Sequence, residues 1–123
     1  MTIRELYDQI GGNYAHALQI MRMDKMISKY LLKLEDSGVC AALMEAAESM
    51  DPGRIFESAH AMKGVCANLG LDDLAAAVGE VTEEFRPGAG RKFSDEEIKA
   101  KLDRIFALYE KTEKGIEEYK ASL

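Results

Sequence analysis

Residues 51–85 read DPGRIFESAHAMKGVCANLGLDDLAAAVGEVTEEF, and this stretch decides the fold class. Asp51-Pro52 is a helix start: a side chain that can cap free amides, then a proline at the first helical position, where no amide hydrogen is needed. Ile55, Ala59, Met62, Cys66 and Leu69 follow at steps of three and four, which lines them along one side of a 3.6-residue helix. Gly70 stands where a helix closes in a left-handed cap. Leu71, Leu74, Val78, Val81 and Phe85 then form a second apolar stripe at the same spacing. Two amphipathic helices joined by so short a turn pack as antiparallel neighbours.

The pattern extends in both directions. Upstream, Thr2 and Glu5 have capping-box spacing before Ile3, Leu6, Tyr7 and Ile10, and Gly11-Gly12 ends that helix. Tyr14, Leu18 and Met21 predict a second short helix. Asp24 is the expected N-cap of a third, carrying Ile27, Tyr30, Leu31 and Leu34. Ser37-Gly38 marks a kink or break before Val39, Leu43, Ala47 and Met50 continue at helical spacing. Downstream, Pro87-Gly88-Ala89-Gly90 is the one clear loop. Ser94 and Glu97 form another capping box. A long last helix follows through Ile98, Leu102, Ile105, Tyr109, Thr112, Ile116 and Tyr119. No strand-like alternation, internal repeat or dividing linker competes. The expectation is one all-α domain over residues 1–123: an antiparallel four-helix bundle over 24–123, with short additional N-terminal helices in 1–23.

Composition narrows the function classes. The 123 residues carry 22 acidic and 16 basic side chains, a formal charge of −6. That balance opposes sequence-independent nucleic-acid binding, which needs an excess of phosphate-neutralising cations. No apolar run approaches the roughly 20 residues of a membrane span. The first ten residues, MTIRELYDQI, have no apolar signal-peptide segment. The two cysteines make neither a disulfide framework nor a CxxC zinc motif. A reduced, cytoplasmic setting is expected. Cys66 falls on a core stripe, Cys40 has no partner evident in the sequence, and the seven methionines read as core filler.

Only two histidines occur, and they differ in setting. His16 has no chemistry-bearing neighbours. His60 lies mid-helix, about 100° around from Ala59 and so off the core stripe. Its row is Phe56, His60, Lys63, Gly64 and Ala67. An exposed imidazole is a nucleophile that is largely neutral near pH 7. Lys63 shares its face, so an ammonium can reach the oxygens of a phosphorylated ring. Gly64 removes the side chain that would crowd that ring. A glycine inside a helix costs about 1 kcal/mol against alanine, and access for a bulky partner is a reason to keep one. Phe56 is placed either to turn toward the core or, with Ala67, to bracket a docking patch. On the next helix Gly79, Thr82, Glu83 and Arg86 form a stripe beside the core, where Thr82 and Arg86 would meet a partner and Arg86 would add positive charge.

Residues 59–71, AHAMKGVCANLGL, resemble the phosphorylation segment of histidine-containing phosphotransfer (HPt) domains from bacterial multistep phosphorelays. His60, Lys63, Gly64 and the Leu69-Gly70 helix end carry the resemblance. It implies a helical bundle in which His60 is the phosphoacceptor, Lys63 the phosphate stabiliser and Gly64 the clearance residue. It implies receiver domains or a hybrid sensor histidine kinase as partners, with no cofactor on this chain and Mg²⁺ on the receiver. It also implies a phosphocarrier, not an ATP-dependent kinase; the chain has no glycine-rich nucleotide loop or Walker motif. One departure stands out. Some members place a glutamine 22 residues after the histidine to support the ring, and here that position is Thr82.

Two rival readings have weaker support. Glu57-x-x-His60 has the spacing of di-iron bundles, but no second copy exists and His60 lies off the core face. A non-phosphorylated HPt-like helical adaptor would bind a signalling partner and leave His60 idle. The intact His60, Lys63 and Gly64 speak against it.

Overall fold

A computed structural model describes all of residues 1–123 and contains seven α-helices and no strand. They are α1 (Ile3–Ile10), α2 (Tyr14–Met21), α3 (Asp24–Leu32), α4 (Val39–Ser49), α5 (Pro52–Asn68), α6 (Asp72–Glu84) and α7 (Asp95–Ala121). Helices α4, α5, α6 and α7 each pack on the next and close a bundle, as α7 returns to α4. The short helices lie outside this ring, with α1 against α7 and α2 bridging α3 and α5. No helix is long and apolar enough to cross a membrane.

The chain signals explain most boundaries. Thr2 and Glu5 form a capping box, as do Ser94 and Glu97. Gly11 ends α1 in the left-handed region. Asp51 caps α5 through the amides of Gly53 and Arg54, with Pro52 at the first turn. The α5 end is a Schellman turn: the Leu71 amide donates to the Cys66 carbonyl and the Gly70 amide to Ala67. Gly70 has φ +65°, and a Cβ there would stand 2.6 Å from the Asn13 carbonyl oxygen. Glycine is therefore required twice over, for backbone conformation and for close approach.

Other expectations change. Asp24 is not the N-cap of α3. Met23 occupies that position without a side-chain bond, and Asp24 accepts instead from the Tyr14 hydroxyl. The Ser37-Gly38 signal is a true break, with a 3₁₀ turn at Glu35–Ser37 and Gly38 left-handed. The buried stripe of α4 is Cys40, Leu43 and Ala46; Val39, Ala47 and Met50 are only half-buried. Of the methionines only Met62 joins the core, while Met23 and Met44 are about half exposed. Both cysteines are buried free thiols. Burial pushes the Cys40 thiol up to about 11 and Cys66 to about 12, so neither is a ready nucleophile near neutrality.

A polar joint braces the α5–α6 turn. The Tyr7 hydroxyl donates to the Leu69 carbonyl at 2.6 Å, and the Asn13 amide donates to the Gly70 carbonyl at 2.7 Å. Asp72, the first residue of α6, receives the Asn13 side-chain amide at 3.0 Å and lies 2.9 Å from His16 Nδ1. His16 thus has a partner 56 residues away that local pattern cannot reveal. On the far side, a Cβ at Gly115 would come within 2.3 Å of Ile10, so this glycine lets α1 seat on α7.

The 87–93 loop is held by one buried acid. The Glu84 side chain, 2% exposed, accepts from Arg91 Nε at 3.0 Å and from the amides of Lys92 and Phe93. Burial by itself would push this carboxyl up. The two backbone amides and Arg91 together outweigh it and hold the carboxyl below the usual glutamate range.

Candidate functional site

Helix α5 runs 17 residues from its Asp51 cap to its Schellman turn, and His60 sits at its middle. Ile55, Ala59, Met62 and Cys66 bury the opposite side of the helix. This anchoring turns His60 outward, where it is exposed. Phe56, one turn earlier, is half-buried and lies beside the imidazole. The two rings are stacked, with centroids 5.6 Å apart and planes 14° from parallel.

Lys63 is half-buried and leans toward α6. Its Cδ, Cε and Nζ lie 3.5–3.8 Å from the position a Cβ would take on Gly79. The lysine stem therefore crosses α6 at its one glycine, and its ammonium lines a groove of about 790 Å³ with Gly79, Glu83 and the 87–93 loop. Gly64 faces open space: a Cβ added there meets nothing within 4 Å. Ala67, a turn further on, is half-buried at the rim of the same face.

The turn just after α6 supplies a second charged group. Arg86 donates two hydrogen bonds to Glu83, from Nε at 2.9 Å and from NH2 at 2.8 Å. Its guanidinium carbon also lies over the Phe56 ring, 5.3 Å from the centroid. Arg86 beside it holds the Glu83 carboxyl below the usual range, with smaller contributions from Lys63 and His60. The expected extra positive charge of Arg86 is thus largely neutralised by Glu83.

Thr82 departs from expectation. It is fully buried, and its hydroxyl donates to the Val78 carbonyl at 3.0 Å. A hydroxyl bonded one turn back along its own helix is satisfied there. It neither supports the His60 ring nor meets a partner. The physical reason is the width of the α6 stripe: Leu74, Val78, Val81 and Thr82 are all buried between neighbouring helices.

A family model for the Hpt domain matches residues 27–108, from within α3 to within α7. The chain belongs to the Hpt domain family. Hpt domains serve histidine phosphotransfer in phosphorelays, as phosphocarrier modules and not as kinases, and they work with receiver domains and kinases. No curated protein and no solved structure matches the chain. In this Hpt domain the all-helical bundle is the family's fold, and α1 and α2 lie outside the matched segment. No group of three or more His, Cys, Asp or Glu side chains is arranged to hold a metal ion.

Proposed function

We propose that this Hpt domain accepts a phosphoryl group on His60 from the aspartyl phosphate of a response-regulator receiver, and passes it to another receiver. The observation that carries the reading is the setting of His60: mid-helix, exposed, with a lysine one turn on and open space over Gly64. In the forward step, the lone pair of an imidazole nitrogen attacks phosphorus in line with the acyl phosphate bond. An N–P bond forms, the P–O bond to the carboxyl breaks, and the aspartate leaves with the electron pair. The ring carries positive charge until its other nitrogen loses a proton to water. Such transfers rest on positioning and charge stabilisation. Lys63 would meet the phosphoryl oxygens, Gly64 would admit the receiver, and Ala67 and Arg86 would flank the contact. Mg²⁺ would belong to the receiver, and this chain would need no cofactor. The two reduced thiols fit a cytoplasmic exchange.

The test is transfer from a panel of phosphorylated receiver domains, with the labelled residue mapped by mass spectrometry. Acid-labile, base-stable label on His60 and not on His16 is expected. A receiver that binds without transferring would overturn the reading in favour of an adaptor.

Gly64 offers a separate check with opposite signs. Gly64→Ala should stabilise the helix by about 1 kcal/mol, because propensity improves and nothing is displaced. Gly64→Leu should keep the fold and slow transfer from receivers at least tenfold by blocking approach. Normal receiver transfer in Gly64→Leu would refute the clearance role.

A further inference from the structure

We propose that Phe56 is a positioning residue for transfer at His60: its ring holds the imidazole by stacking, and the Glu83–Arg86 pair holds Phe56. The inference rests on the phosphotransfer reading and assigns a task that Thr82 cannot perform. The family's glutamine would reach the ring from α6, but the Thr82 hydroxyl is bonded to Val78 and buried. Another restraint is present on α5 itself. Phe56 and His60 are four residues apart on α5, so their side chains share one face. Their planes differ by 14° at a centroid separation of 5.6 Å.

Stacking has a chemical advantage over hydrogen bonding here. The nitrogen lone pairs of imidazole lie in the ring plane and leave from its edge. A phenyl ring stacked with an offset, at a centroid separation of 5.6 Å, overlaps the imidazole in part; it restricts rotation of the ring and forms no hydrogen bond to either nitrogen. A hydrogen-bonding partner would occupy one of them. The phenyl ring is itself fixed from the end of α6 and the turn after it, since Arg86 lies 5.3 Å from its centroid and is clamped by Glu83 through two hydrogen bonds. Arg86 with its charge already paired is better suited to hold a ring than to bind a phosphoryl group.

The experiment compares wild type with Phe56→Leu, Phe56→Tyr and Arg86→Met. Phosphoramidate serves as a small donor that needs no docking surface, and a phosphorylated receiver serves as the second donor. Proton NMR of the His60 ring reports the stack directly through the ring-current shift. In Phe56→Leu that shift should vanish. Uptake from both donors should fall about tenfold at saturation, with the receiver KM unchanged. Phe56→Tyr should restore shift and rate, and Arg86→Met should give a partial loss of both. A raised receiver KM with normal phosphoramidate uptake would overturn the proposal and make Phe56 a docking contact. Equal rates in Phe56→Leu and wild type would also overturn it, while leaving His60 as acceptor. Wild type unlabelled by either donor would overturn the phosphotransfer reading, and the positioning role with it.

Discussion

His60→Gln should abolish phosphoryl uptake from every donor while leaving the thermal midpoint within a degree or two of wild type. Glutamine keeps helix propensity and polarity but has no nucleophilic nitrogen lone pair at neutral pH. The stability side follows from exposure: His60 buries nothing into the core, and substitutions at such positions usually change stability by no more than about 0.5 kcal/mol. Only the stack on Phe56 is lost, and Phe56 keeps Arg86. Circular dichroism melts beside a phosphorylation assay measure both halves. Residual label on the variant would mean that another residue accepts the group. His16 is the other imidazole, and its Nδ1 already lies 2.9 Å from Asp72.

Glu84→Gln should weaken the fold at neutral pH by about 3 kcal/mol, the scale for breaking a buried charged interaction that also satisfies backbone amides. For a chain of this size that is roughly 10 °C in Tm. The sign with pH is fixed by direction. The Glu84 carboxyl is held below its ordinary value of 4.5 in the folded state. Its contribution is therefore fully present above that value and disappears as pH falls through the lower folded one. Urea melts at pH 7 and pH 3.5 should show a gap between wild type and variant that narrows on acidification. A gap unchanged by pH would refute the account. At neutral pH the variant should also loosen the 87–93 loop, whose Lys92 and Phe93 amides end on this carboxylate, and so disturb the groove that Lys63 lines.

The parts of the molecule legible in its sequence are those set by neighbours along the chain. Asp51-Pro52, Ser94 with Glu97, and Gly70 act within one helical turn, so the ends of α5 and the start of α7 follow from local chemistry. The orientation of His60 follows from the stripe Ile55, Ala59, Met62 and Cys66, since one face of a helix determines the other. Thr82 departs from its expected exposure because a helix packed by two neighbours buries more than one stripe, and spacing alone does not give its width. Glu84 gave no local sign of burial; its partners lie seven to nine residues ahead, beyond a loop of irregular conformation. The Phe56–Arg86 contact and the His16–Asp72 pair join residues 30 and 56 positions apart, and these depend on how helices dock.

The brace across the α5–α6 turn bears on what counts as the unit of this protein. Segment 27–108 carries the family's pattern, yet the carbonyls that close its central turn are held by Tyr7 and Asn13 from outside it. Proteins open in cooperative blocks defined by contacts, not by sequence similarity. Here the block that keeps the far end of the histidine's helix closed includes α1 and α2. The inherited module and the thermodynamic one have different edges, and the rigidity of the helix that carries His60 depends on the larger of the two.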